Sequence, residues 1–303
     1  MAQSRFRTDR QLSARMVTVM GTLVLAYAGA MTVLSLVLGR WWPLGVAAVI
    51  AFFAFQMLAS GKVALTAVGA HEVSAEQEPE LHALVDRLCA LADMPKPTIA
   101  VSNSPVPNAF AAGRKRSGVV LCLTRGMLNR LDEQELEGVI AHELSHIAHG
   151  DAMVMTVASF IGVLAGLTAR IGAQLLFYAG RMRGLWQVLV IALAVTALSA
   201  ATWMISVLLI RALSRYREFA ADHAAAELTG NPAALSSALQ KVSDRRGLIP
   251  SQDLRRATIV NAVAFCPVNV SKQPGAQLLS THPTVEARIE RLERIAQQLS
   301  SHS

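Results

Sequence analysis

His142-Glu143-Leu144-Ser145-His146 is the stretch on which the reading of this chain turns. Residues four apart project from one face of a helix. Two imidazoles on that face can hold one Zn²⁺ at about 2.0–2.1 Å, and the intervening glutamate can reach a water beside the metal. The flanks predict the helix. Asp132-x-x-Glu135 is a capping-box start. Leu136, Val139, Ile140, Leu144 and Ile147 recur at helical spacing, and Gly150 is a natural stop. A match this short can arise by chance, so its context decides.

A catalytic zinc needs a third protein ligand and an open fourth position. His149 is nearest in sequence, but it lies about 10 Å along the axis from His142, too far for one tetrahedral ion. It reads as an exposed histidine at the helix end. Arg217-Glu218-Phe219-Ala220-Ala221-Asp222 is the better source. Glu218 and Asp222 are one turn apart on a common face. Glu218 could complete the coordination, and Asp222 could accept a hydrogen bond from a ligand imidazole. Alone they would be an ordinary acidic pair on a helix surface. Beside the paired histidines they become candidates.

The surrounding composition is that of a membrane protein. Of 303 residues, 53% are hydrophobic and 16% charged, against about 25% charged in a typical soluble domain. No charged side chain occurs from Met16 to Gly39, Trp41 to Gly61, Met153 to Ala169, or Gly184 to Ile210. A hydrocarbon core of ~30 Å needs ~20 apolar residues in a helix. Each run therefore predicts a spanning helix, about four in all, because a soluble helix keeps a polar face. The first run stays apolar to Leu38, beyond the ~7–15 residues of a signal-peptide core, and reads as an uncleaved anchor. Trp41-Trp42 suits a membrane interface.

The chain thus divides into an N-terminal flank with two transmembrane helices (1–61), a polar block with the paired histidines (62–151), a transmembrane hairpin (152–212) and a second polar block with Glu218 (213–303). In the first block, Glu76 to Asp93 reads as a helix and Thr98 to Val101 as a strand. Asn108 to Ala112 and Val119 to Leu123 form a hairpin whose tip, Arg114 to Arg116, is solvated. In the second, Gly230-Asn231-Pro232 ends one helix and starts another. Ser251 to Ser280 is loop-rich, and Pro283 to Gln298 is an amphipathic helix.

Charge gives the orientation and excludes other classes. Net charge is +7, from 28 basic and 21 acidic residues. Nucleic-acid binding is not expected, since the basic residues are not interleaved with aromatics. Three cysteines without CxxC spacing fit a reducing compartment. The two histidines and Glu218 can meet only if the chain crosses the membrane an even number of times between them. Two runs intervene, so the polar blocks share a side. Arg5, Arg7, Arg10 and Arg15, against Arg40, place that side in the cytosol. Arg170, Arg181 and Arg183 fall between the third and fourth runs and resist this scheme.

The sequence resembles the membrane-anchored gluzincin proteases of the HtpX type, a family that includes the CAAX prenyl proteases. The resemblance spans nearly the whole chain. It rests on His142-Glu143-Leu144-Ser145-His146 with Gly150-Asp151, on Ser214-x-Tyr216-Arg217-Glu218-Phe219-Ala220-Ala221-Asp222, and on Ser280-Thr281-His282-Pro283 with Arg288. It implies a mainly α membrane protein carrying a zincin-like α+β catalytic domain with a small β-sheet. It implies that His142, His146 and Glu218 bind one zinc, that Glu143 is the base, and that His282 and Arg288 support the transition state. It also implies that Asn108, Ala109 and Phe110 belong to an edge strand that pairs with substrate. The implied activity is a zinc endopeptidase of a bacterial inner membrane that clears damaged or misfolded membrane proteins, a stress response. A CAAX-type processing protease and a non-catalytic zinc-binding membrane protein are the rivals. Glu143, unneeded as a ligand, argues against the second, as does the absence of acidic residues from all four runs.

Overall fold

The computed structural model describes residues 42–113, 118–179, 186–243 and 282–301, with scattered positions between 14 and 32. The hairpin tip at Arg114 to Arg116, the stretch from Ser251 to Ser280, and Arg181 and Arg183 lie outside the described residues.

The elements are α1 (Trp42–Ala67), β1 (Ala70–Glu72), α2 (Pro79–Leu91), β2 (Thr98–Ser102), β3 (Ala109–Ala112), β4 (Val120–Thr124), α3 (Arg125–Leu128), α4 (Glu133–His149), α5 (Asp151–Ala179), α6 (Trp186–Thr229), α7 (Pro232–Ser243) and α8 (Val285–Ser300). The chain separates into two compact units. One comprises residues 1–12, 59–153 and 214–303, the other 13–58 and 154–213.

The first unit is built on a mixed sheet of order β1-β2-β4-β3. β2 and β4 are parallel, while β1 and β3 join as antiparallel edges. Alternate residues of a strand face opposite sides, and here both sides are covered. Ile99, Val101, Leu121, Leu123 and Ala109 enter the main core with α2, α4, α7 and α8. Phe110, Ala112 and Cys122 pack on the other face against Leu65, Val68 and Ala70. The expected hairpin of β3 and β4 forms, with Ala109 opposite Leu123 and Ala112 opposite Val120.

α4 forms where its caps predict. Asp132 accepts from the Glu135 backbone while the Glu135 carboxylate accepts from the Asp132 N–H, and Gly150 ends the helix at φ 68°. Val139, Ile140, Leu144 and Ile147 bury its apolar face. Gly138 lets α7 close in, since a Cβ there would lie 3.2 Å from Leu235. The predicted break at Gly230-Asn231-Pro232 forms as well. Gly230 takes φ 65°, and the Asn231 side chain accepts from the Ala234 N–H at 3.2 Å, opening α7.

The second unit holds the apolar parts of α5 and α6. Gly162 faces Ser206 and Ile210, Gly166 faces Trp203, and Gly172 faces Thr196. The numbers rise on one helix as they fall on the other, so the pair is antiparallel. The small residues let the two backbones approach. Among the described residues, two helices, Asp151–Tyr178 and Leu189–Thr229, are long and apolar enough to cross a membrane. The second predicted run forms α1, whose described apolar part, Pro43–Phe55, is shorter than a crossing. Most of the first run lies outside the described residues. Arg170, expected in the connection, is instead inside α5, which continues to Ala179.

Candidate metal centre

Three helices of the first unit bring the site together: α4 carries His142, Glu143 and His146, α6 carries Arg217, Glu218 and Asp222, and α8 carries Arg288. Ligand atoms of His142, His146 and Glu218 all lie within 4.8 Å of one another. Nε2 of His142 and Nε2 of His146 are 3.1 Å apart. Glu218 Oε2 is 3.6 Å from His142 Nε2, and Oε1 is 3.7 Å from His146 Nε2. An ion at about 2.0–2.1 Å from tetrahedral donors sets them about 3.3 Å apart, so this donor set fits one zinc. Glu218 Oε2 is buried and makes no hydrogen bond among the described residues, a cost that a bound cation removes.

The far nitrogens are held by carboxylates. His142 Nδ1 is 2.9 Å from Asp222 Oδ1, and His146 Nδ1 is 2.6 Å from Asp151 Oδ2. A carboxylate only accepts, so Nδ1 donates on each ring and Nε2 is left bare toward the ion. Each carboxylate in turn meets an arginine. Arg288 is bidentate on Asp222, with Nε–Oδ2 at 2.8 Å and Nη2–Oδ1 at 2.5 Å. Arg217 Nη2 is 2.8 Å from Asp151 Oδ2. These charges are buried, and a buried carboxylate is tolerable only when paired.

Glu143 is 4% exposed. Burial pushes its carboxyl above the usual range, against the pull of His146 and His142. At His142, burial and the Arg288 charge oppose a proton, but the carboxylates of Asp222 and Glu218 outweigh them and raise the imidazole to about 9. His282 brings Nδ1 to 3.3 Å from Glu218 Oε1. Arg288 is 1% exposed, with Nη1 3.4 Å from Glu218 Oε2 and Nη2 3.3 Å from His142 Nδ1.

Asn108 precedes β3, and its carbonyl accepts from Thr124 N–H at 3.0 Å. Asn108, Ala109 and Phe110 are all buried, on an edge of the sheet whose strand packs on α4. His149 is half-buried rather than exposed, because its Nδ1 turns back to the Ser145 carbonyl at 2.8 Å. No role was read for Asp151 or Arg217 from sequence. The available signal was a carboxylate placed directly after the glycine that ends the histidine helix.

The peptidase family M48 model matches residues 75–296. Protease HtpX homolog 1 of Streptomyces coelicolor is 48% identical over 297 residues, 98% of this chain and 97% of that one. The chain belongs to peptidase family M48. Other relatives are Protease HtpX homolog of Moorella thermoacetica, 40% identical over 96% of this chain and 97% of the relative, and Protease HtpX homolog 2 of Methanosarcina acetivorans, 44% identical over 82% and 84%. The crystal structure of Ste24p from S. mikatae superposes with a TM-score of 0.55 at 18% identity, covering 93% of this chain and 67% of that one. This M48 peptidase is a zinc-dependent metalloprotease.

Proposed function

We propose that His142, His146 and Glu218 hold the zinc, that Glu143 is the general base, and that the protein hydrolyses peptide bonds of membrane proteins at the cytosolic face of a multi-pass fold. The observation that carries the reading is the convergence of three donors within 4.8 Å, beside a buried fourth group, Glu143, that is not among them. When bound, zinc supplies a Lewis acid that polarises the scissile carbonyl and lowers the pKa of water. Glu143 takes a proton from the attacking water as the new C–O bond forms. It delivers that proton to the nitrogen as the C–N bond breaks. His282 donates toward the developing oxyanion. Arg288 acts from behind, holding Asp222 and through it His142.

Substrate binds extended along β3. Since Asn108 pairs inward with Thr124, the pleat also turns Phe110 and Ala112 inward. The N–H and C=O of Ala109 and Ala111 then face away from β4. Pairing to that side reads backbone more than side chains, which suits a protease of damaged and misfolded membrane proteins over one of narrow specificity. The two long apolar helices support membrane integration, and the even number of predicted spans between the two catalytic segments is consistent with both lying on one side. α6, 44 residues, is about 66 Å long at 1.5 Å per residue, more than twice a ~30 Å hydrocarbon core, so its charged end reaches beyond the lipid.

The test compares wild type with Glu143→Gln, purified with a chelator and reloaded with zinc. Digestion of casein and of an unfolded membrane protein falls about 10²–10⁴-fold in the variant while zinc content stays at one per chain. Retained digestion would remove Glu143 as the base. A prenylated C-terminal peptide as the only substrate cleaved would replace this reading with the processing protease.

A further inference from the structure

Each of the two histidines is backed by a carboxylate, and each carboxylate by an arginine. His142–Asp222–Arg288 lies on one side and His146–Asp151–Arg217 on the other. In the second chain of contacts, Asp151 and Arg217 have no part in the chemistry above. Gly150, at φ 68°, reverses the backbone immediately after α4. That reversal lets Asp151, the first residue of α5, return to a ring five positions earlier. Asp151 is 4% exposed and Arg217 9%, so neither charge is solvated and their pairing is obligatory. Both His146 Nδ1 and Arg217 Nη2 converge on a single oxygen, Oδ2. Arg217 is also covalently joined to Glu218.

We propose that Asp151 and Arg217 are positioning residues for the metal: Asp151 fixes the ring plane and tautomer of His146, and Arg217 locks Asp151 in register with Glu218. This inference rests on the ligand set proposed above. The carboxylate strengthens the imidazole as a donor, since a ring whose distal N–H is hydrogen-bonded to an anion pushes more electron density to the opposite nitrogen. The arginine limits where that anion sits. It also ties the second ligand's support to the third ligand's backbone, so the start of α5 and the charged part of α6 are joined at the ion.

The experiment measures zinc affinity by competition with a chromophoric chelator on the full chain in detergent. It adds the visible absorption of the cobalt-substituted protein and the unfolding midpoint of the metal-free protein. Asp151→Ala weakens zinc about 10- to 100-fold and shifts the cobalt bands. Asp151→Asn, which keeps an acceptor but loses the charge, falls between it and wild type. Arg217→Lys, which keeps charge without the fork, weakens zinc less than Arg217→Gln. A purely structural role would lower the unfolding midpoint and leave the cobalt spectrum unchanged. Should Asp151→Ala not fold, the isosteric Asn variant decides. Zinc affinity within about twofold of wild type and an unaltered spectrum in the foldable Asp151 variants overturn the proposal. His146→Ala separates the two levels. Unchanged zinc binding there defeats the ligand assignment itself, whereas lost binding there with intact Asp151 variants defeats only the positioning role.

Discussion

Nε2 of His142 and Nε2 of His146 face each other at 3.1 Å, each on a ring whose other nitrogen is committed to a carboxylate. Two bare lone pairs at that distance repel unless a cation lies against both. In the metal-free site a proton takes that place, and against burial and the Arg288 charge the Asp222 and Glu218 carboxylates raise His142 to about 9.

Zinc must therefore displace a proton, and its affinity rises with pH up to about 9. The metal-free protein behaves oppositely. Its stability gain from His142 is complete below the ordinary imidazole value and is lost as pH rises through about 9. Chelator titrations from pH 6 to 9 check the first statement. Unfolding of the metal-free protein over the same range checks the second. At free zinc about 1,000-fold above Kd, the ion adds about 4 kcal/mol of stability.

Ala111→Pro tests the proposal that substrate pairs with β3. Its N–H points away from β4 in the register set by Asn108 and Thr124, and proline is tolerated where a strand's N–H is unused by the ladder. One lost substrate hydrogen bond lowers kcat/KM about tenfold, mainly through KM, with the unfolding midpoint nearly unchanged. A midpoint that collapses while KM holds would contradict the register.

Glu135 is 3% exposed and accepts from Ser237 Oγ at 2.6 Å, from Lys241 Nζ, and from the Asp132 N–H at 3.0 Å. It fastens the start of the histidine helix to α7. Glu135→Ala costs about 2–3 kcal/mol because charged hydrogen bonds are lost and Ser237 is stranded. Lys241→Met costs less, since Lys241 is 43% exposed and replaces little buried structure. Denaturant unfolding ranks the two.

Two glycines should respond differently to alanine. A Cβ at Gly126 would fall 2.1 Å from the Pro105 carbonyl oxygen, and backbone cannot turn aside. Gly126→Ala costs about 3 kcal/mol. A Cβ at Gly150 meets nothing within 4 Å, so only the left-handed backbone resists it. Gly150→Ala costs about 1 kcal/mol. Melting curves showing the reverse order would count against the close packing at Gly126.

Burial pushes the Cys122 thiol up to about 12 and the Cys89 thiol up to about 11. The thiolate is the reactive form. At pH 8, with Cys266 replaced by serine, a disulfide reagent reacts with neither cysteine until the protein opens. Two thiols then appear on adding denaturant. Fast reaction in the native state would place one of them at the surface.

Local rules carried much of this protein. The capping box at Asp132, the glycine stop at 150, the 230–232 break and the hairpin of β3 and β4 depend on neighbours in the chain, so residue order alone determined them. The pairing of His142 with His146 was equally local, being one helical turn. Glu218 was a candidate from sequence because helical spacing put it beside Asp222 and an even number of apolar runs allowed the polar blocks to share a side. What only the tertiary structure decided are relations between residues far apart in sequence. Arg288 settles on Asp222, 66 residues earlier. Arg217 finds Asp151 across the α5–α6 hairpin. Arg170 stays inside a helix, since a charged side chain by itself does not end one. Periodicity reports which face of an element is apolar. It carries no information about which of many buried charges will neutralise which, because that choice is made by distance after the elements have packed.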